Sequence, residues 1–453
     1  MMSRYKTEKL LFYLLILFLP TQLGKHFWPS FSSIMGIRID YLSPTLYFTD
    51  VLILLLLIFW LKKHFQIAAL KDQLVNNKDV GIYLSYISFL LFIIFSSPEI
   101  LRGLYFFLKF LELSFLAFYI AGNIREKIHT QRIAVLLAIG VIFESLLALF
   151  QFAKQGSVGG VFYFLGERLF ALGTAGIANA SLDGELVLRP YGTFPHPNVL
   201  AGYLVVALTF IVFSFVNKEK PWLRMLFFTS FVIGTFALLF SMSRIAIVLW
   251  MAFLSIALLA RVRKKIHMIA LALIVIGLFL GTYALFPNLV YRFSQTSLSE
   301  ESLQQRNELI HSAAIMIDER TKFGVGLGNF LPVLGAIQKP LSFGLYLQPV
   351  HNILLLVAAE TGVVGFIFFT GFLVATLMKS RKHLSLFLMI LSVVVLGFFD
   401  HYFLTLQQGQ LLLALVVGLC WRGGGQESGE DYDPERSFKN MKRLVKERFQ
   451  FRT

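Results

Sequence analysis

The sequence predicts an all-α fold: a polytopic membrane helical bundle of about twelve transmembrane helices, with a partly helical large outer loop. Three observations predict it. Of 453 residues, 57% are hydrophobic and only 15% are charged, whereas a soluble domain carries about 25% charged residues. The mean hydropathy is +0.72. Continuous apolar runs of roughly 17–25 residues recur, the length that crosses about 30 Å of hydrocarbon. Backbone groups in lipid must be bonded internally, so the choice is helices or a closed barrel, and runs that do not alternate favour helices.

The predicted spans are 8–24, 42–61, 80–97, 104–123, 133–153, 198–216, 225–240, 244–260, 266–286, 351–378, 384–399 and 408–421. With Arg4, Lys6 and Lys9 assigned to the cytoplasm, the cytoplasmic loops carry Lys62, Lys63, Lys71 and Lys78, then Arg125, Lys127 and Arg132. Further on they carry Lys218, Lys220 and Arg224, then Arg261, Arg263, Lys264 and Lys265, and last Lys379, Arg381 and Lys382. Every one of these loops is basic, as the positive-inside bias requires. An even span count puts both termini inside. The net charge of +15 is thereby explained by topology, without nucleic acid. The apolar stretch from Leu10 to Pro20 lacks a small-residue cleavage site and reads as a retained first span. One cysteine, Cys420, excludes an internal disulfide and a cysteine metal cluster.

Residues 1–421 form the bundle, with long outer loops at about 154–197 and 287–350. The first loop is rich in glycine. In the second, Glu301 to Ile317 reads as a helix, with Leu303, Ile310, Ala313, Ala314 and Ile317 on one face at three- and four-residue spacing. That face is expected to pack on the bundle. Residues 422–453 form a cytoplasmic tail with a basic segment from Arg436. There, Phe438, Met441, Leu444, Val445 and Phe449 share a face, which fits a helix on the anionic leaflet or an equally ordinary solvated tail.

The informative polar residues lie at the outer ends of spans, where ionisable groups need a reason to persist. Arg244, in Phe-Ser-Met-Ser-Arg, sits at an outer hairpin. Its fork of donors suits phosphate oxygens, or it snorkels to headgroups. Arg306 is spaced onto the apolar face of its helix and requires an anion, either a ligand or an acid such as Glu308. His351 begins the tenth span and has the residue type of a general base, or of a structural interfacial histidine. Leu355, Ala358, Gly362 and Gly365 share its helical face, and small residues there admit a close helix neighbour. Glu360, nine residues on, falls roughly opposite. Pro195, Pro197 and Asn198 open the sixth span. Asp400, His401 and Tyr402 line a polar cavity or form an ordinary wet helix end. Asp431, Tyr432 and Asp433 mimic a metal-using carboxylate pair but fall on the opposite side of the membrane. Gly324, Gly326 and Gly328 lack the spacing and context of a nucleotide loop. Neither a zinc-binding helix pattern nor a serine-nucleophile elbow occurs, and no cofactor or metal is expected.

Four segments together resemble the bacterial O-antigen ligase and polymerase superfamily. They are Gly192-Thr-Phe-Pro-His-Pro-Asn-Val-Leu-Ala-Gly-Tyr203, the hairpin ending at Arg244, Arg306 through Gly-Val-Gly-Leu-Gly-Asn-Phe330, and His351-Asn through Glu360-Thr-Gly362. The resemblance covers roughly 190–410. It implies a membrane glycosyltransferase at the outer face of the bacterial inner membrane, acting in surface polysaccharide or lipopolysaccharide synthesis. The implied donor is a glycan on undecaprenyl diphosphate or a related polyprenyl diphosphate, and the implied acceptor a glycan or lipid. By resemblance, Arg244 and Arg306 hold the donor diphosphate and His351 activates the acceptor, with Glu360, Asn198 and His196 in support. Direct attack implies an inverting, metal-independent transfer. The competing expectation is a lipid-linked oligosaccharide flippase or other multispan transporter, which would place functional charges near the midplane and show internal repeats.

Overall fold

The computed structural model describes residues 2–64, 78–124, 127–182, 185–214, 220–260, 301–338 and 346–422. Among them it contains fifteen α-helices and three two-stranded antiparallel sheets. The chain opens with α1 (Met2–Leu17), then β1 (Gly24–His26), β2 (Ser33–Ile34), β3 (Ile37–Arg38) and β4 (Thr45–Tyr47). Helices α2 (Phe48–His64), α3 (Lys78–Phe95), α4 (Ile100–Asn123) and α5 (Lys127–Lys154) follow. A short α6 (Val161–Phe164), β5 (Asn179–Leu182) and β6 (Glu185–Leu188) lead to α7 (Pro197–Ser214), α8 (Pro221–Phe240) and α9 (Arg244–Ala260). The last group is α10 (Glu301–Glu319), α11 (Phe330–Ile337), α12 (Ile353–Ser380), α13 (Leu384–Gly397), α14 (Tyr402–Thr405) and α15 (Gln407–Trp421).

Four helices are long and apolar enough to cross a membrane: Ile100–Asn123, His129–Lys154, Pro221–Phe240 and Ile353–Ser380. Others are apolar but short. The 14 residues of α13 make a rod of about 21 Å, less than the roughly 30 Å of a hydrocarbon core. The protein is thus a multi-pass helical membrane protein with four full-length spans among the described residues. The expected ninth span, 266–286, and the tail, 422–453, lie outside the described residues. Between α1 and α2 the chain forms four short strands where the sequence suggested only span and loop.

Helix α7 is the axis of the bundle. It is apolar on every side, and Val199, Leu200, Ala201 and Leu204 through Leu208 are buried, as a helix without a polar face must be. It packs against α5, α8, α9, α13 and α15. A second, smaller core joins Leu309, Ala313 and Met316 of α10 to Phe330, Leu331 and Leu334 of α11, Ile34 and Ile39 near β2 and β3, and Leu356 and Ala359 of α12. The helix expected from Glu301 is present and packs on the bundle, but its inward face differs from the expected one. Ile310 is 47% exposed, and Leu309, three residues after Arg306, faces in instead. The side chain of Leu303 lies outside those described. Periodicity alone misplaced the stripe because apolar residues occur on adjacent faces of α10.

Helix α12 is broken at Gly362, which has φ 65° and ψ −169°. A side chain there would meet the backbone of Lys322 and Phe323. The loop after α10 lies against this break: Val325 N–H donates to Ala359 O at 2.9 Å, Gly326 N–H to Glu360 O at 2.9 Å, and Val363 N–H to Thr321 O at 2.8 Å. The close neighbour that small residues admit at Gly362 is therefore a loop backbone, not a helix.

A charged cluster, absent from the sequence reading, joins α2, α4 and α15. Lys109 Nζ lies 2.6 Å from Asp50 Oδ2 and 3.1 Å from Glu112 Oε2. It also donates to Gln407 Oε1 at 3.1 Å, and Gln407 Nε2 returns to Thr49 Oγ1 at 3.0 Å. Asp50 is in the first turn of α2 and Gln407 opens α15, so the cluster fastens the ends of these helices. Lys109→Met leaves two carboxylates facing each other and should cost about 3–5 kcal/mol. Thermal unfolding of the detergent-solubilised protein checks this, and Asp50→Asn added to Lys109→Met should recover part of the loss.

Candidate functional site at the start of α12

Local rules fix the site. Asn352 is the N-cap of α12, its Oδ1 accepting from Leu354 N–H at 2.9 Å and Leu355 N–H at 3.0 Å, as Asn does well. Its Nδ2 donates to Phe398 O at 3.2 Å, which ties the start of α12 to the end of α13. His351 therefore precedes the helix. The helical-face relation expected between His351 and Leu355, Ala358 or Glu360 does not apply, because His351 is not on the helix.

That tie brings His351 to Asp400. His351 Nδ1 lies 3.4 Å from Asp400 Oδ1, a charge contact longer than a well-formed hydrogen bond. Asp400 Oδ1 accepts from His401 N–H at 2.8 Å, and Oδ2 from Asn198 Nδ2 at 2.9 Å. Asn198 is in the first turn of α7, after Pro197, and its N–H donates to His196 Nδ1 at 3.1 Å. Arg189 completes the chain of contacts. Its Nη2 donates to Asn198 Oδ1 at 2.7 Å and its Nε to Ser241 O at 2.9 Å. The path from the Ser241–Arg244 hairpin to His351 thus runs through Arg189, Asn198 and Asp400.

The segment that carries Arg189 and His196 is itself anchored to α5. Gln151 Oε1 accepts from Tyr191 N–H at 2.9 Å and Gly192 N–H at 2.8 Å. Glu144 accepts from both Thr193 N–H and Thr193 Oγ1 at 2.8 Å. The rings of His351 and His401 have centroids 5.0 Å apart, and Tyr41 stands edge-on to His401 at 5.4 Å.

The electrostatics separate these groups. Burial alone would raise the Asp400 carboxyl; the His351 contact and the neighbouring His401 and His196 outweigh it, holding Asp400 well below the usual carboxylate range. Burial pushes His401 down to about 3, helped by His351 and by the positive charge of Arg306. Burial, with Arg189 nearby, likewise pushes His196 to about 3. Both are neutral near pH 7.

Arg306 is half-buried on the Leu309, Ala313 and Met316 face, close enough to act on His401. Among the described residues it forms no ion pair, with Glu308 or any other acid. Arg244 opens α9, directly after a turn with Met242 at φ 54°. Glu360 stands apart. Its Oε1 accepts from Phe330 N–H at 3.3 Å, and its backbone receives Gly326, so it braces the glycine loop. In the same brace Arg102 donates to Asn329 Oδ1, and Asn329 Nδ2 to Ser97 Oγ at 2.8 Å. The donor atoms of His351, Asp400 and His401 lie within 4.8 Å of one another, a set able to approach a cation.

The site thus gathers His351, Asn198, His196 and Arg306, and adds three residues with stronger ties than the sequence indicated: Arg189, Asp400 and His401. Arg189 has a signal in the sequence: in the expected topology it falls in an outer loop, where the positive-inside bias makes a cation unusual.

Residues 229–370 match the family model described as O-antigen ligase. The match supports the resemblance to the O-antigen ligase and polymerase superfamily. No curated protein matches it. The matched stretch is narrower than the resemblance read over 190–410. It includes Arg244, Arg306, His351 and Glu360, and excludes Arg189, Asn198 and Asp400. Asp400, which faces His351, and Asn198 and Arg189 behind it therefore lie outside the matched stretch. The family supports a surface polysaccharide ligase or polymerase activity of the glycosyltransferase kind, with a lipid-linked glycan and an acceptor as partners.

Proposed function

We propose that this protein transfers a glycan from undecaprenyl diphosphate, or a related polyprenyl diphosphate, to an acceptor hydroxyl at the outer face of the bacterial inner membrane. The observation that carries this reading is the contact of His351 Nδ1 with Asp400, 3.4 Å away, beside an Arg306 that no acid among the described residues neutralises. Asp400 orients the ring through Nδ1, leaving Nε2 for the acceptor proton. The acceptor oxygen bonds to the anomeric carbon as the bond to the diphosphate oxygen breaks. His351 takes the hydroxyl proton, and the carrier diphosphate leaves with the bonding pair. Arg244 and Arg306 stabilise its developing charge. A single displacement inverts the anomeric centre.

The transfer is read as metal-independent. Both Asp400 oxygens already accept N–H donors, and two arginines serve the leaving group. The termini are read as cytoplasmic and the site as outward, from the loop charges.

The test incubates the purified protein, and His351→Ala, with a polyprenyl diphosphate-linked oligosaccharide in EDTA. Transfer by the wild type that the variant lacks is expected. A ladder of product lengths identifies a polymerase, and a single addition to a supplied acceptor identifies a ligase. Loss of transfer in EDTA, restored by a divalent cation, would assign a metal to the His351, Asp400 and His401 set. A second reading, transport of the lipid-linked glycan, draws on the Asp50, Lys109 and Glu112 cluster, since buried membrane charges often mark a pathway. Lys109 and Glu112 lie midway along α4, but their partners Asp50 and Gln407 open α2 and α15, which favours a fastening role. Flipping by liposome-reconstituted protein, with no transfer, would favour transport.

A further inference from the structure

We infer that Arg168 is an additional oxyanion-binding residue of this site, taking a phosphate or carboxylate group of a glycan substrate. The inference rests on the transfer reading above. Arg168 is exposed, and its presentation is built rather than incidental. The preceding Glu167 is buried and caged: its Oε1 accepts from Gln151 Nε2 at 2.9 Å and Val158 N–H at 2.6 Å, and its Oε2 from Gly159 N–H at 2.7 Å. Thr21 Oγ1 donates to Leu165 O at 2.9 Å, and Gln22 Nε2 to Gly166 O at 3.2 Å. Two separate elements, the end of α5 and the chain after α1, therefore hold the turn from which Arg168 projects.

Arg168 projects towards the site. Its Nη1 reaches Pro195 O at 3.5 Å, next to His196 and three residues before Asn198, which grips Asp400. The phenol of Tyr41, edge-on to His401, lies within the electrostatic reach of both Arg168 and Asp400. Among the described residues, that long contact is the only hydrogen bond of Arg168, and no carboxylate pairs with it. A guanidinium held at a site mouth with its fork unspent suits an oxyanion.

The surroundings say where the oxyanion sits. Val161, Tyr163, Phe164 and Leu169 are 68%, 52%, 73% and 65% exposed, while Phe162 packs on Phe143 of α5 at 6.1 Å. An apolar tip joined to a membrane-spanning helix marks the bilayer interface, the level at which a lipid-anchored substrate carries its first charged group.

The test uses the full-length protein in detergent and compares wild type, Arg168→Ala and Arg168→Lys. In Arg168→Ala, KM should rise about tenfold with kcat within about threefold. Arg168→Lys should fall between, keeping the charge but not the fork. A rise in donor KM assigns the oxyanion to the carrier diphosphate. A rise in acceptor KM, with an anionic acceptor, assigns it there. Both outcomes support the inference, and unchanged KM for both substrates overturns it. If the wild type transfers nothing, the proposed function fails instead. The three proteins are then titrated with free undecaprenyl diphosphate and with uncharged undecaprenol, read by tryptophan fluorescence. Weaker diphosphate binding by Arg168→Ala, with undecaprenol unaffected, supports the inference, and equal binding overturns it.

Discussion

His351→Ala should lower kcat for glycan transfer by about 10²–10⁴-fold, the usual contribution of a positioned general base. The donor KM should change little, because in the proposed mechanism His351 acts on the acceptor proton. Asp400→Asn is the sharper probe. It keeps the size of the side chain but removes the charge that faces His351 Nδ1, and its single oxygen can accept from only one of Asn198 Nδ2 and the His401 N–H. A loss of at least about tenfold in kcat is expected, the scale seen when a group orienting a histidine is removed. Steady-state kinetics with the donor varied at saturating acceptor separates the two parameters, and full activity in both variants would remove the base assignment. The pH dependence has a definite sign. The folded Asp400 carboxyl titrates below its ordinary value of about 3.9, so its contribution to stability is present above that pH. It is lost as pH falls through the lower folded value. The stability difference between wild type and Asp400→Asn should therefore shrink as pH falls through the lowered carboxyl value. His196 and His401, both pushed to about 3, add no inflection near neutrality.

The second large effect concerns the arginines, and a comparison within the site gives it meaning. Arg306→Ala should weaken binding of a polyprenyl diphosphate by about ten- to a hundredfold, the worth of hydrogen bonds to a charged group. The protein should remain as stable as wild type or more so, since no acid among the described residues loses a partner. Arg189→Ala should do the reverse. Its guanidinium already serves Asn198 and Ser241, so its loss loosens the site and lowers the melting temperature, with a smaller direct effect on diphosphate binding. Binding isotherms paired with thermal unfolding distinguish these patterns. Equal donor binding by wild type and Arg306→Ala would remove Arg306 from the clamp.

How much of this was legible in the sequence follows from range. The apolar runs that became α4, α5, α8 and α12 were readable, because lipid demands length and uniform hydrophobicity of a single segment. The helix from Glu301 was readable from its period, although the period did not choose between Ile310 and Leu309 as the inward residue. His351 was readable as a residue type. Its partnership with Asp400 was not, because the pair meets only through the Asn352 tie to Phe398 and the packing of α13 against α7. Arg189 and Lys109 share this history. Each is a cation whose partners lie on other elements, and no local spacing encodes them. The short strands near β2 and β3 escaped because two-residue pairings leave no alternating pattern. Glu360, expected only in a supporting role, has contacts that brace the loop beneath Phe330.

The break at Gly362 bears on how the site tolerates its surroundings. A continuous rod anchored in lipid would pass every tilt of the bilayer to its outer tip. Here the hydrogen-bond ladder of α12 is already interrupted, and interruptions are where helices bend. The stretch from Ile353 to Thr361 is bonded sideways, to Phe398 through its cap and to Val325 and Gly326 along its end. A bend at Gly362 would then be taken up by the stretch from Val363 to Ser380, while the sideways bonds hold the end of α12 next to His351 and Asp400 in place.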